Sequence, residues 1–287
     1  MAFSIDIISC ITDRFVELTA TEKRIAQFIL DDVQSAATLP IAEMARLTET
    51  SQASITRFAR AIGCKDVREL KVKLAQSLAV GQRFILDVPD LEGVQGIYET
   101  IINVLDINRR AIDPDSLKKA VEWLSDARQI LAIGMGGGST ICAQEVQFRL
   151  FRLGLPVVSQ SDGLLVRMMC SAVTPNDVVL ALSLGGYTSE IIESAAMARQ
   201  YGARVIAITP EETPLAANAD IVLPLIVREN DYIFKPSTSR YAMLAMVDVL
   251  ATELAMANKN QAKDRLRRIK LALDSHRGGV DRQPLGD

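Results

Sequence analysis

Short apolar runs alternate with segments of helical spacing through the second half of the chain, and this alternation constrains the fold more than any other feature. The apolar runs lie at 130–133, 156–158, 178–182, 205–208 and 221–223, and the helical segments at 139–153, 163–172, 188–202 and 213–219. Runs this short, with no polar alternation, are typical of strands that are buried on both faces. The pattern predicts an α/β domain, an αβα sandwich in which helices cover both faces of a parallel sheet.

Composition agrees with this fold class and excludes several function classes. Hydrophobic residues make up 49% of the 287 residues but aromatic residues only 5%, which favours buried parallel strands over a β-sandwich or a β-barrel. The four cysteines are scattered and His276 is the single histidine, so we expect no metal site, no cofactor and no histidine-based catalysis. Because no apolar run is long enough for a membrane helix and the first residues lack a signal-peptide pattern, we expect a cytoplasmic protein with no membrane partner.

The first 80 residues are predicted to form an all-α helix-turn-helix domain. A short helix over 41–47, a turn over 48–50 and a second helix from Ser51 to the terminating Gly63 have the layout of that motif. Flanking helices are predicted after a cap at Thr21 and over 66–79. The pattern therefore separates an α-helical N-terminal domain from the α/β domain.

The beginning of the second helix carries polar side chains that suit base recognition. We place Ser51, Gln52, Ser54, Thr56 and Arg57 there, since glutamine pairs with adenine and arginine with guanine. Arg60, Lys65 and Lys71 are predicted to contact phosphates, within a stretch, 46–75, that holds seven basic and three acidic side chains. A helical dimerisation or docking module with a solvated basic face is the alternative that the pattern leaves open.

Two glycine-rich turns follow predicted strands and lead directly into predicted helices. The candidate binding residues are Gly136, Gly137, Gly138 and Ser139 in the first turn, and Ser183, Gly185, Gly186 and Thr188 in the second. The free N–H groups and the positive dipole end at a helix N-terminus attract anions. The turns lack the complete dinucleotide fingerprint and the lysine of a Walker-type loop, so they predict a phosphate or other anion site.

In combination, these motifs resemble the RpiR family of bacterial regulators, which join an N-terminal helix-turn-helix domain to a SIS (sugar isomerase) domain. The resemblance extends from about Ile5 to Leu273 and rests on 21–26, 51–58, 70–78, 133–136, 183–188, 202–209 and 239–242. It implies a palindromic double-stranded operator, homodimers or homotetramers, and a phosphorylated sugar or sugar-acid effector at the glycine turns and Arg240. Stretches 74–79 and 247–252 are most similar to repressors of hexose catabolism, whose effector is 2-keto-3-deoxy-6-phosphogluconate.

The pattern along the chain, with its glycine- and proline-containing stretch after residue 80, sets the expected domain boundaries. We expect a DNA-binding domain over 1–80, a linker and connecting helix over 81–112, a SIS domain over 113–275 and a disordered tail over 276–287. The long helix predicted over 237–258 is apolar on more than one face and is expected to provide part of a subunit interface, with full burial in its own domain as the alternative for each residue.

Two other functions remain as alternatives, and the glycines at positions 137, 138 and 185 are relevant to both. The chain could be a phosphosugar isomerase, for which Glu145, Glu190 and Glu193 are the acids near the turns, or a repressor that binds no ligand. Related turns often carry hydroxyl residues where this chain has Gly137, Gly138 and Gly185. We expect these glycines to reshape the site rather than to abolish it, and we expect no enzymatic activity.

Overall fold

The computed structural model describes residues 6–85, 93–227 and 237–277, and the chain divides into two compact units. The first unit holds the N-terminal helices, and the second begins with the helix that follows residue 92. Residues 86–92 of the predicted linker and 278–287 of the predicted tail lie outside the described residues.

The first unit consists of helices whose apolar faces meet in one core, as the sequence predicts. These are α1 (Ile7–Arg14), α2 (Ala20–Asp31), α3 (Val33–Thr38), α4 (Ile41–Leu47), α5 (Gln52–Ala61) and α6 (Val67–Ile85), with a 3-10 turn at Phe15–Glu17. Phe58 of α5 is fully buried at the centre of the core, among Ile25, Ile29 and Leu74. Burying such side chains is the main source of stability for helices as short as these.

Helix α2 begins two residues earlier than expected, at a cap formed by Thr19 rather than Thr21. The Thr19 hydroxyl accepts a hydrogen bond from the backbone N–H of Glu22, and the Glu22 carboxylate accepts one from the Thr19 N–H at 2.9 Å. This reciprocal capping box satisfies two N–H groups that the helix itself leaves unpaired, whereas a cap at Thr21 would satisfy fewer.

Helix α6 continues through residues 81–85, which the sequence assigns to the beginning of the linker and connecting helix. A single glycine weakens a helix by only about 1 kcal/mol relative to alanine, which the residues on both sides outweigh here. The next helix, α7 (Gly93–Ala111), packs in the second unit, where buried Asn108 hydrogen-bonds through its side chain to the N–H and the carbonyl of Ile226.

The second unit is built on a five-stranded parallel sheet, which confirms the predicted fold class. Its strands are β1 (Gln129–Gly134), β2 (Val157–Gln160), β3 (Asp177–Leu182), β4 (Arg204–Thr209) and β5 (Ile221–Pro224), in the order β2-β1-β3-β4-β5. Because all strands are parallel, their carboxyl ends share one edge of the sheet, the carboxyl edge, and their amino ends share the opposite amino edge.

Helices cover both faces of this sheet. Helices α8 (Pro114–Ser125), α9 (Gly137–Arg152) and the later α13 (Ser239–Ala257) pack on one face, and α10 (Gly163–Ser171), α11 (Ser189–Gln200) and α12 (Pro214–Ala217) on the other. Successive strand residues alternate between the two cores: Leu180 lies in the first and Ala181 in the second, and both are fully buried. Burial on both faces explains why the strands read as unbroken apolar runs.

Most of the apolar surface of helix α13 is buried inside its own unit, while Tyr241 and Leu244 are half-buried. Met243, Met246, Val247, Leu250 and Leu254 are all buried in the core that α13 shares with α9 and the sheet. The final helix, α14 (Lys259–His276), includes His276, which the sequence assigns to the tail.

No described helix by itself has the length and the hydropathy to cross a membrane, and only α13 and α14 together, bent by 110°, reach both thresholds.

Candidate functional site

Side-chain hydrogen bonds hold the turn between α4 and α5 and cap the start of α5. The buried Thr48 hydroxyl donates to the Met44 carbonyl at 2.8 Å, and it lies 2.8 Å from the Thr50 hydroxyl. Ser51 then caps α5, with its side-chain oxygen accepting from the Ser54 N–H at 3.1 Å. Two short helices joined by so constrained a turn form the helix-turn-helix geometry that the sequence predicts.

Helix α5 presents a polar face to solvent and an apolar face to the core. Ser51, Gln52, Arg57 and Arg60 are exposed, and Lys65 is exposed in the turn after the helix. Thr56 is half-buried, and its hydroxyl donates back to the Gln52 carbonyl. The exposed face carries positive charge and groups able to pair with base edges, as a recognition helix requires.

Ser54 does not lie on that exposed face, which corrects its predicted role in base contact. Its side chain is buried, lies 2.9 Å from the Ser51 hydroxyl oxygen, and accepts a hydrogen bond from the Arg57 guanidinium at 3.1 Å. Ser54 is therefore a positioning residue that joins the helix cap to Arg57.

Lys71 also differs from its predicted role as a phosphate contact. Its ammonium group donates a hydrogen bond to the carbonyl of Leu39, the residue that ends α3. This links α6 to the C-terminal end of α3, where a positive charge is favourable. By contrast, Arg60, Lys65 and Arg68 have no ion-pair partner among the described residues, so they remain available to phosphates.

In the second unit, the register of the sheet brings the two glycine turns together. Strands β1 and β3 are neighbours, and Gly134 pairs with Leu182 where both strands end at the carboxyl edge. The buried Ser139 side-chain oxygen then accepts a hydrogen bond from the Leu184 N–H at 3.2 Å, which joins the first turn to the second.

The first turn delivers the N-terminus of α9 to this edge. Gly136 caps the helix with φ of 89°, a conformation that favours glycine, and Gly137, Gly138 and Ser139 form the first helical turn. The N–H groups of a first helical turn have no partner within the helix, so they are free to bind an anion. A Cβ added at Gly137 would meet nothing within 4 Å, whereas one at Gly138 would lie 2.7 Å from Leu184.

The second turn is closed by its own serine. The Ser183 side-chain oxygen accepts from the Gly186 N–H at 2.9 Å, and Gly186 has φ of 75°. A Cβ at Gly186 would lie 2.4 Å from the Thr213 hydroxyl oxygen, so the turn packs directly on the start of α12. Sequence reasoning missed this role of Thr213, because no local pattern links it to a turn so far away in the chain.

Arg240, which the resemblance assigns to the effector site, begins near the first glycine turn. Its Cβ is 3.4 Å from the position that a Cβ would take at Gly138, and its guanidinium stacks on the Tyr241 ring at 4.9 Å. Gly136–Ser139, Ser183–Thr188 and Arg240 together form a surface that we call the cradle. Thr188 begins α11 at its rim, and its side chain makes no capping bond.

The acidic and thiol groups around the cradle have structural partners. Glu145 pairs with Arg149 at 2.7 Å and Glu193 with Arg167 at 2.6 Å. Hydrogen bonds from its own N–H and from the Ser189 hydroxyl hold the pKa of Glu190 below its usual range. Burial raises the pKa of the Cys142 thiol, which lies beneath Arg240, to about 11, so that it stays protonated near neutral pH.

Comparison with known proteins places both units in described families. A family model described as a SIS domain matches residues 123–253, and one described as a helix-turn-helix domain of the rpiR family matches residues 5–81. The HTH-type transcriptional regulator HexR of Pseudomonas aeruginosa is 34% identical, over 94% of this chain and 96% of its own length. HexR of Escherichia coli is also 34% identical, over 93% and 94% of the two chains.

A solved structure is similar to this chain in its three-dimensional fold. The Vibrio vulnificus NanR protein, in complex with ManNAc-6P, has a TM-score of 0.58 and is 25% identical over 91% of this chain and 96% of its own.

The packing of the second turn predicts opposite results for two adjacent glycines. We expect Gly186→Ala to lower the free energy of unfolding of the second unit by about 2 kcal/mol, because it adds both backbone strain and a clash with Thr213. Gly185→Ala should change it by less than about 0.5 kcal/mol, since Gly185 has no positive φ and a Cβ there would meet open space. Urea denaturation followed by circular dichroism measures both, and equal effects would contradict this structure of the turn.

Proposed function

The chain belongs to the RpiR family, with a helix-turn-helix domain followed by a SIS domain, and we propose that it is a transcriptional regulator of carbohydrate metabolism whose operator binding responds to a phosphorylated sugar or sugar acid. One observation carries the proposal: the cradle gathers a free helix N-terminus, a serine-closed turn and an arginine at one edge of the sheet. That arrangement suits an oxyanion. The relatives that match over nearly the full chain are transcriptional regulators.

On the DNA side, we assign base recognition to Gln52 and Arg57, with Ser51 and Thr56 beside them at the start of α5. Arg60 and Lys65 are exposed and are assigned to phosphates. Ser54 holds Arg57 in place, and Lys71 supports the end of α3. Base contacts determine sequence preference, whereas phosphate contacts strengthen binding to any sequence.

This division of roles predicts different losses for two arginines on one helix. Arg57→Ala should cost about 1–3 kcal/mol on the operator and relax specificity at one position in each half-site. Arg60→Ala should weaken binding to all sequences alike and reduce the slope of log affinity against log salt by about one. Fluorescence anisotropy with an operator selected from random DNA measures both. Unchanged operator affinity in Arg57→Ala would show that the recognition face is misassigned.

For the effector, we propose 2-keto-3-deoxy-6-phosphogluconate, which carries a phosphate at one end and a carboxylate at the other. The cradle offers the N–H groups at the start of α9, and Arg240, whose Cβ lies beside Gly138, is the cation that we assign to the second charged end of the ligand. The identity with two HexR regulators supports a ligand from hexose catabolism. The NanR complex with ManNAc-6P is an example of a protein of this architecture that binds a phosphorylated sugar.

Calorimetry with three proteins tests this assignment. The wild type should bind 2-keto-3-deoxy-6-phosphogluconate more tightly than glucose 6-phosphate, and Arg240→Gln should weaken binding by roughly tenfold or more, because a charged hydrogen bond is lost. The space beside Gly185 is open, so Gly185→Ser fits the protein but crowds a ligand that fills that space. We therefore expect Gly185→Ser to weaken the cognate effector.

Two results would change the assignment. Tighter binding of every sugar phosphate by Gly185→Ser would show that the turn is merely a weakened phosphate site. Failure of the wild type to bind any phosphorylated metabolite would favour the alternative function, a repressor without a ligand.

We further propose that the chain acts as a homodimer or homotetramer through the outer surfaces of α9 and α10. The α9–α10 surface carries exposed apolar side chains: Ile141, Phe148, Phe151, Leu164, Leu165 and Met168, which are 44% to 70% exposed. Both helices lie at the β2 end of the sheet, on opposite faces. An apolar surface of this kind is typical of protein interfaces, and a palindromic operator requires two-fold symmetry.

The double variant Phe148→Glu/Phe151→Glu should therefore be monomeric at concentrations where the wild type is an oligomer. Buried carboxylates in an apolar interface cost several kcal/mol of association free energy. Met256→Glu, an equally exposed position on α13, is the control and should leave assembly unchanged. Sedimentation velocity measures the difference, and a wild type that is only monomeric at about micromolar concentration, where specific oligomers normally form, would contradict the proposal.

A further inference from the structure

The amino edge of the sheet, opposite the cradle, holds a cavity that none of the proposed functions uses. Its volume is about 490 Å³, and its lining includes Lys119 and Trp123 of α8, Arg199 of α11, Arg204 of β4 and Asp220 before β5. The cavity is wide open to solvent, and its lining carries three cations and one carboxylate. We call it the Trp123 cavity.

Two of its cations stack on the indole ring. The Lys119 ammonium nitrogen lies 5.0 Å from the centroid of the Trp123 ring, and the Arg204 guanidinium carbon lies 5.5 Å from it. Each contact is favourable by itself, but two positive charges on one ring repel each other. An anion that contacts both cations would offset their charge.

The carboxylates at this edge are already paired with other groups. Asp220 accepts from the Arg199 guanidinium at 2.9 Å and from the Val205 N–H at 2.8 Å. Asp177, almost completely buried, pairs with Arg128 at 2.6 Å. Across the described ranges, Lys119 and Arg204 have no carboxylate partner.

The cavity is lined by three cations, Lys119, Arg199 and Arg204, and helix dipoles explain the position of only one of them. Helices that cover a parallel sheet end near its amino edge, and a cation in a last helical turn offsets the partial negative charge there. Arg199 lies in the last turn of α11 and also pairs with Asp220. Lys119 lies in the middle of α8, and Arg204 is the first residue of β4, so neither is placed to offset a helix end.

We propose that the Trp123 cavity is a second anion site, which binds a compact oxyanion with at least two negative charges between Lys119 and Arg204. Phosphoryl and carboxylate ligands share this chemistry. The site is separate from the cradle, because it lies at the other edge of the sheet and shares no residue with it. It therefore does not depend on the identity of the effector.

The chain offers a direct probe, because Trp123 is its single tryptophan. Selective excitation of tryptophan in the full chain reports on the surroundings of Trp123, which lines this cavity and packs against the core. We expect pyrophosphate or citrate to change the emission saturably, at concentrations where sodium chloride of equal ionic strength produces no saturable change. Saturation by pyrophosphate but not citrate identifies a phosphoryl ligand, and the reverse identifies a carboxylate ligand.

Two adjacent lysines supply a matched pair of variants. Lys119→Gln removes a cation from the ring, whereas Lys118→Gln makes the same change of charge at an exposed neighbour that does not line the cavity. We expect Lys119→Gln and Arg204→Gln each to weaken binding by roughly tenfold. Lys118→Gln, and Arg240→Gln in the cradle, should retain the wild-type affinity.

Three results would overturn the proposal. The first is an emission change that depends only on ionic strength. The second is an equal loss of anion affinity in Lys118→Gln and Lys119→Gln, which would reveal nonspecific attraction of anions to positive charge. The third is loss of the response in Arg240→Gln, which would assign the signal to the cradle. Because Lys119 is exposed on a helix surface, its variant is expected to fold even if Arg204→Gln does not.

Discussion

The pairing of β1 with β3 is the constraint on which the second unit depends. It sets Gly134 beside Leu182, so the turns that follow these strands emerge side by side. The bond from the Leu184 N–H to Ser139 then fixes the beginning of α9 against the second turn. Two turns that are separate in sequence thereby become one surface, and the free N–H groups of α9 gain an arginine neighbour from α13.

The parallel sheet also gives its two edges different electrostatic character. At the carboxyl edge, helices begin and their N–H groups favour anions; at the amino edge, helices end and their carbonyl groups favour cations. Arg199, in the last turn of α11, follows this rule, whereas Arg128 lies outside the helices and pairs with buried Asp177. Lys119 and Arg204 do not offset a helix end. Both lie over the ring of Trp123, so these two cations belong to one cavity at the amino edge.

Local patterns predicted most elements, whereas long-range contacts caused the errors. The strands, the glycine turns and the helix from Ser51 depend on residues close in sequence, and the structure contains all of them. Ser54 and Lys71 were misassigned because their partners are set by tertiary structure: Ser54 faces inward, and Lys71 meets a carbonyl 32 residues away. A polar residue near a recognition helix resembles a DNA contact in sequence, even where its hydrogen bonds are made inside the protein.

Helix α9 provides a physical route between the proposed effector site and the proposed subunit interface. Its first turn belongs to the cradle, and its later turns carry exposed Phe148 and Phe151. Helix α10 has a similar position, because its first residue, Gly163, lies close to Met135 and Glu190 at the carboxyl edge, while Leu164 and Met168 are exposed. A ligand changes assembly or DNA binding only if it binds two arrangements of the protein with different affinity. A small shift at the start of either helix moves its exposed apolar side chains as well, because no loop lies between them. We therefore expect the two arrangements to differ in the angle at which α9 and α10 leave the sheet.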